Sequence, residues 1–301
     1  MNRTILAICA DLHGGHYHGL MNPETTLEEQ DKIGNKIRDY HPKMNPIQDY
    51  LWETYTADID LVREIAGQDP VIAILAGDMT AGIRHPDMLV SNRMADQVAI
   101  AKANMKPWHE RLPTLAGVRF VKGTGAHNFG DGSSEILLSM FEEEKYPAIP
   151  VTITDHELIT VGGMTADISH HGPTPGSRNW LKGNEARYYL RSLMMDELMA
   201  GQAPPRLVVR GHYHTWCRET LSIDFNGVEY TSTLVILPSY TFPNGFARQM
   251  IRSPARVTHG MMAAEAVDGG LLRIYPLRHT IDIRTKEIIH GSTRGVLAAD
   301  L

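Results

Sequence analysis

Cysteine is scarce in this chain: Cys9 and Cys217 are the only two among 301 residues. Two thiols build no disulfide framework, so a reducing compartment, the cytoplasm, is the expected location. Long apolar runs are missing as well. The short stretch Ile5 to Ala10 ends at Asp11 and reads as a first strand rather than a leader, and nothing approaches the ~18 apolar residues of a membrane span. A basic excess is also missing. The 29 Lys+Arg stand against 35 Asp+Glu, a net charge of −6, and no basic tail or run offers a non-specific grip on nucleic acid. There is no internal repeat and no low-complexity linker. Hydrophobic residues at 43% and charged residues at 21% predict an ordinary globular core. One domain over 1–301 is the simplest organisation, with its core over about 4–240 and C-terminal strands and loops over 241–301.

What the chain does have is alternation. Thr4 to Ala10, Val71 to Leu75, Val118 to Val121 and Arg206 to Val209 read as buried strands. Val151 to Val161 reads as one or two more. Asn45-Pro46-Ile47-Gln48 opens a helix, with Asn45 as cap, Pro46 in the first turn and Gln48 closing a capping box. Leu51, Tyr55, Ile59, Val62 and Ala66 follow at helical spacing, and Gly67 ends it. Further helices are expected over Asp96 to Leu112, disturbed near Pro107, over Ser133 to Glu144 and over Asn184 to Met199. The long polar segment Gly14 to Met44 has room for a short helix between Glu24 and Arg38. Strands and hairpins are expected from Val228 to Ile283, with a loop from Pro238 to Gly260. Alternation early and strands late suit a mixed sheet, or two packed sheets, with helices outside.

The 15 histidines decide nothing by their number, but their placement is informative. Five short pieces follow apolar runs: Asp11-Leu12-His13, Gly77-Asp78, Gly125-Ala126-His127-Asn128, His170-His171-Gly172 and Gly211-His212-Tyr213-His214. Strand ends on one edge of a sheet converge, so side chains far apart in sequence meet there. Asp and neutral His are ligands for divalent transition metals, and a metal cluster of this kind activates water against a phosphate ester. Residues two apart at a strand end reach one ion together, as Asp11 with His13 and His212 with His214. The carboxylate of Asp78 has two oxygens and can bridge two ions. His127, in a glycine-rich turn, suits a group beside the metal that stabilises the transition state or protonates a leaving oxygen.

In this order the pieces resemble the calcineurin-like metallophosphoesterase superfamily. Its pattern runs D-x-H, G-D, G-N-H-[D/E], a histidine before glycine, then G-H-x-H, and the match covers about residues 4 to 215. Leu237-Pro238-Ser239-Tyr240 and the glycine-containing strand pair after it are more loosely similar to phage- and prophage-encoded members. The resemblance implies a four-layer α/β/β/α sandwich of two mixed β-sheets flanked by helices. It implies a dinuclear site of two divalent ions (Mn, Fe, Zn, Ni, Co or Mg). Asp11, His13 and His214 would hold one ion, Asp78 would bridge, and His171 and His212 would hold the other. His171 is preferred to His170 because it directly precedes the glycine; the neighbour would face the other side of the strand. His127 matches the family's catalytic histidine, and Asp78 is the second residue expected to carry catalysis. The implied reaction is direct hydrolysis of a phosphate ester by a metal-activated hydroxide. The substrate expectation leans slightly to a phosphodiester in a nucleic acid or nucleotide, with no membrane partner.

One departure stands out. The family's metal-binding asparagine falls on Ala126, which has no ligating atom, and Asn128 replaces the usual Asp or Glu. Asn128 or a backbone carbonyl substitutes, or water fills the position, or the second ion binds weakly. The alternative function is a binding or scaffold protein that kept the fold and lost catalysis; retention of Asp78, His127 and both histidines of the last motif weighs against it. His16 and His18 are expected at solvent or substrate rather than in a metal site of their own. Arg84, His85, Lys122, Arg178 and Lys182 lie by the expected site loops and are candidates for phosphate contact, against a plainer reading as solvated surface. His259 reads as ordinary, and Cys217 as a small buried side chain rather than a soft ligand.

Overall fold

The computed structural model describes residues 3–176, 181–243, 255–267, 270, 272–285 and 287. Arg178 lies outside them, as do residues 244–254 of the expected loop from Pro238 to Gly260. A six-stranded sheet runs in the order β13 (Leu272–Asp282), β12 (Arg256–Val267), β1 (Arg3–Cys9), β4 (Val71–Ala76), β5 (Leu115–Val121), β6 (Val151–Thr154). The last four are parallel, and β12 is antiparallel to β1. A five-stranded sheet runs β10 (Cys217–Phe225), β11 (Val228–Ile236), β9 (Leu207–Arg210), β8 (Met164–Ser169), β7 (His156–Val161). Its central strands β11, β9 and β8 are parallel.

The apolar run of β1 is uninterrupted because both of its faces are covered. Alternate side chains point to opposite faces. Ile5, Ala7 and Cys9 join a core shared with three helices, while Leu6, Ile8 and Ala10 join the core between the two sheets. On the first side lie α1 (Pro46–Ala66), α2 (Met94–Arg111) and α3 (Ser133–Lys145), contributing Tyr55, Trp108 and Leu138 among others. Beyond the second sheet, α4 (Asn184–Met199) packs Ala186, Leu190 and Met194 against Val208, Leu234 and Ile236. The layers are therefore α/β/β/α, two mixed sheets between helices. No described helix is long and apolar enough to cross a membrane.

The start of α1 forms as its sequence dictates. Asn45 Oδ1 accepts from the backbone N–H groups of Ile47 and Gln48 at 2.9 and 3.1 Å, and Gln48 Oε1 accepts from Asn45 N–H at 3.2 Å. Such a cap contributes about 1 kcal/mol. Pro107 does not interrupt α2. Trp108, fully buried, donates from Nε1 to Tyr55 Oη at 2.5 Å and anchors the final turn.

Two local expectations are corrected: the loop expected to run to Gly260 gives way to β12 from Arg256, where antiparallel pairing with β13 takes up its end, and an expected helix is absent. The segment given to a short helix between Glu24 and Arg38 is a hairpin, β2 (Leu27–Gln30) with β3 (Lys36–Tyr40). Asp31 Oδ1 accepts from the N–H groups of Ile33 and Asn35 at 2.9 and 2.8 Å, and Gly34 turns the chain at φ +92°. This side-chain-nucleated turn competes with the helix and wins. The stretch from Val151 to Val161 holds two strands that belong to different sheets, and the chain crosses between them at Asp155. The C-terminal pair β12–β13 is built into the main sheet beside β1, with Met262 and Ala264 in the intersheet core.

Candidate metal centre

The carboxyl ends of β1, β4, β5, β8 and β9 meet at one edge of the sandwich, and the predicted pieces follow them. Pairing of β1 with β4 continues past both strands: Asp11 N–H donates to Gly77 O, His13 N–H to Asp78 O and Gly14 N–H to Met79 O, at 2.9–3.0 Å. The backbone there is unusual. Of the seven non-glycine residues with positive φ among those described, five are Asp11, His13, Asp78, His212 and His214. The left-handed region costs an L-residue roughly 1–3 kcal/mol, and its concentration at strand ends turns side chains inward that a regular strand would send to alternate faces. Close approach is also built in. A Cβ at Gly77 would collide with His170, and one at Gly123 with Asp78.

Asp11 is the hub. Its Oδ2 accepts from His212 N–H at 2.9 Å, and its Oδ1 faces Nε2 of His214, His13 and His170 at 3.1, 3.8 and 3.9 Å. Asp78 Oδ2 lies 3.2 Å from His170 Nε2, and its Oδ1 accepts from Thr124 N–H at 2.6 Å. His13 Nε2 and His214 Nε2 stand 3.3 Å apart. Four sets of three residues bring one ligand atom each to within 4.8 Å of one another: Asp11, His13 and His214; His13, Asp78 and His127; Asp11, Asp78 and His170; His170, His171 and His212. Spacing of this order lets a set surround a metal ion.

Burial and imidazoles pull the acids in opposite directions. Burial raises the Asp11 carboxyl, but His214 and His170 outweigh it and hold it well below the usual range. Asp78 is likewise lowered, against its burial, by His170. Burial lowers His170, yet Asp11 and Asp78 prevail and lift it to about 9. Burial, only partly offset by Asp11, brings His13 down to about 4, so at neutral pH that ring carries a bare lone pair. Two buried carboxylates among imidazoles, of which His170 would give up its Nε2 proton to a bound ion, are the donor chemistry that divalent transition metals take, and the residues present fit such ions.

The surroundings fix the ligands. His170 Nδ1 donates to Ala76 O at 2.7 Å, which leaves Nε2 for the cluster. His127 Nδ1 donates to Ala81 O at 2.9 Å, and the His127 carbonyl accepts from Thr80 Oγ1 at 2.6 Å. Gln97 clamps the adjoining turn, accepting from the N–H groups of Ala81 and Gly82 and donating to the carbonyls of Gly82 and Ser91. Arg210, fully buried at the end of β9, pairs with Asp167 at 2.6 Å and is held by Tyr189 Oη, so the strand delivers Gly211 to His214 from a rigid base.

All the residues singled out in the sequence converge here: Asp11, His13, Asp78, His127, His171, His212 and His214. Two participants were passed over. His170, assigned to the far side of its strand, is buried between Asp11 and Asp78. β8 ends at Ser169, so strand alternation no longer governs the histidine pair, and both rings face the cluster, with His171 at its exposed rim. The other is Thr124, whose hydroxyl sits among three imidazoles. His170 was legible only as one of two adjacent histidines, and Thr124 carried no signal beyond its glycine neighbours.

Beside the cluster is a cavity of about 180 Å³, walled by His13, His16, His127 and His214 on one side and by Leu89 and Phe242 on the other. His16 lines it, brought down to about 3 by burial and by neighbouring histidines. A larger, open depression of about 350 Å³ lies just past His214, between Lys182, Trp216, Arg218 and Arg278. Lys122 pairs with Asp155 at 3.0 Å. Cys217 packs under α4, and His259 is buried with Nδ1 on Ser239 O at 3.3 Å.

No family model and no curated protein matches the chain. Among solved structures it is similar to a metallophosphoesterase from Sphaerobacter thermophilus, at 11% identity and a TM-score of 0.33, over 93% of this chain and 89% of that one. It is also similar to the protein of unknown function AQ665 from Aquifex aeolicus, at 11% identity and a TM-score of 0.28, over 70% and 80% of the two chains.

Proposed function

We propose that this protein is a metal-dependent phosphoesterase of the calcineurin-like type. The observation that carries the reading is the convergence of Asp11, Asp78, His13, His170, His212 and His214 from four strand ends onto one cluster whose acids, His13 and His170 are buried. Asp11, His13 and His214 would hold one divalent ion, Asp78 would serve both, and His170 and His212, with His171 at the rim, would hold the second. Bound there, such ions supply positive charge to phosphoryl oxygens and lower the pKa of water. The chain's own groups do the rest. His127 is held through Nδ1–H on Ala81 O, which leaves Nε2 free of that carbonyl; as the imidazolium the ring donates from Nε2 to a non-bridging or leaving oxygen of the phosphate. The cavity edged by His16, Leu89 and Phe242 seats one substituent of the ester.

A diester is favoured over a monoester by the depression past His214. Lys182, Arg218 and Arg278 outnumber Glu219 along it and leave it net positive, and Trp216, with Arg278 stacked 5.0 Å above its ring, gives it an aromatic face. Such a surface suits a substituent that continues beyond the scissile phosphate, as in a nucleotide or a single strand. The test is hydrolysis of bis-p-nitrophenyl phosphate and p-nitrophenyl phosphate with Mn, Co, Ni, Zn or Mg added in turn. The expected result is chelator-sensitive turnover, faster on the diester. Bound ion without turnover of either ester would replace the enzyme with a binding module on the same fold.

A further inference from the structure

The turn after β5 breaks the family pattern at Ala126, which leaves the second ion short of an oxygen donor. The structure shows where that turn spends its residues. Gly123 lies against Asp78, so closely that no side chain fits between them. Thr124 follows at the point of nearest approach, its N–H bonded to Asp78 Oδ1 at 2.6 Å. Its Oγ1 lies 3.2 Å from His170 Nε2, 3.3 Å from His171 Nε2 and 3.2 Å from His212 Nδ1. Those three histidines form one of the sets whose ligand atoms converge. The chain then turns away. His127 N–H closes a turn on Thr124 O at 2.8 Å, and the Ala126 carbonyl packs against Gly82 on the opposite side of the loop. Asn128 is spent within the loop. Its amide bonds Gly123 O at 3.3 Å or, with amide N and O exchanged, Gly130 O at 3.0 Å and Gly132 N at 3.1 Å.

A hydroxyl has one proton to donate and two lone pairs. Three imidazole nitrogens around one hydroxyl are satisfied by hydrogen bonds only if two of them carry protons toward it. A cation among the three nitrogens and the hydroxyl satisfies all four at once. Threonine oxygen is an established ligand for divalent ions in other folds; like an asparagine amide oxygen it is neutral.

We infer that Thr124 is the oxygen ligand of the second ion, replacing the amide absent at Ala126 from a position two residues earlier in the turn. The turn has slid in register: the donor sits immediately after Gly123, and the two extra residues, Gly125 and Ala126, carry the chain round to His127. This rests on the metal-site reading above. Asn128 and a backbone carbonyl are then not needed as substitutes.

The test is Mn²⁺ stoichiometry and affinity by calorimetry, with electron paramagnetic resonance reading the spin-coupled signal of a paired site, on the wild-type chain and on Thr124→Ser, Thr124→Val and Thr124→Val/Ala126→Asn. Wild type and Thr124→Ser are expected to bind two equivalents and give the coupled signal. Thr124→Val is expected to keep the first equivalent, which also reports an intact fold, and to bind the second at least about tenfold more weakly with the coupled signal lost. Two equivalents of unchanged affinity in Thr124→Val overturn the inference and leave the metal site standing. Return of the second equivalent in Thr124→Val/Ala126→Asn overturns the register slip, by showing that a side chain at 126 still reaches the ion. A wild-type chain that takes up no ion overturns both the inference and the reading beneath it.

Discussion

Asp11 and Asp58 are both fully buried carboxylates that face imidazoles, and they lie in different layers of the same sandwich. Asp58, on α1, has one donor for each oxygen: Tyr240 Oη at 2.6 Å on Oδ2 and His279 Nε2 at 2.8 Å on Oδ1. Its backbone is ordinary helix. Asp11 sits at φ +57°, with a single oxygen facing three imidazole nitrogens that also crowd one another. One carboxylate is arranged so that the folded protein alone satisfies it. The other has partners on both oxygens and further imidazoles beyond them, and its strained backbone holds that excess in place. A buried acid by itself is thus no mark of a site; the mark is an excess of facing ligands together with a backbone the chain would not choose locally.

The contrast breaks if the two residues respond alike to the same change. Asp11→Asn is expected to lower ester hydrolysis by about 10³-fold, with ion uptake lost. His127→Ala should follow with a loss of about 10²-fold and an unaltered number of bound ions, because the ring is placed beside the ligands and not among them; a missing ion in that variant would move His127 into the ligand set. Asp58→Asn is expected to show the reverse of Asp11→Asn, costing about 2 kcal/mol in denaturant unfolding with turnover and ion uptake intact. Within the cluster, His170→Ala should weaken the second ion by about tenfold or more, and His171→Ala by less, since His170 is buried between both acids whereas His171 stands at the rim. Equal losses would show that depth does not rank the two.

The smallest effect lies with His279. Its hydrogen bond to Asp58 raises it above the ordinary imidazole value of 6.5, against partial burial. A raised folded-state pKa means that the stabilisation is complete below about 6.5 and is lost as pH rises through the higher folded value. The side chain is 36% exposed, so solvent screening keeps the contribution under about 1 kcal/mol. Unfolding curves of wild type and His279→Asn should differ at pH 5.5 and merge toward pH 9.

Much of this arrangement was legible because it is local or periodic. The box at Asn45 and Gln48, the stripe of α1 and the span of α4 needed no partner to be recognised. The buried strands announced themselves as apolar runs ended by Asp or glycine, and the acids and histidines at their ends followed. What escaped depends on distant chain. The hairpin at 27–40 is decided by the turn around Asp31, whose side chain outbids helix propensity. The crossing at Asp155 sends neighbouring strands to different sheets, which no local pattern reveals. His170 could not be ranked above His171 until the end of β8 was known. Thr124 has an everyday side chain, and only the closeness of Gly123 to Asp78, from 45 residues earlier in the chain, gives it a place.

The pairing of β12 with β1 also sets a schedule. Asp11 and His13 follow a strand whose open side is closed by Arg256–Val267, more than two hundred residues further along the chain. Closing so long a separation is entropically slow. The edge that carries both side chains is therefore expected to settle late in refolding, after the helices and local hairpins have formed.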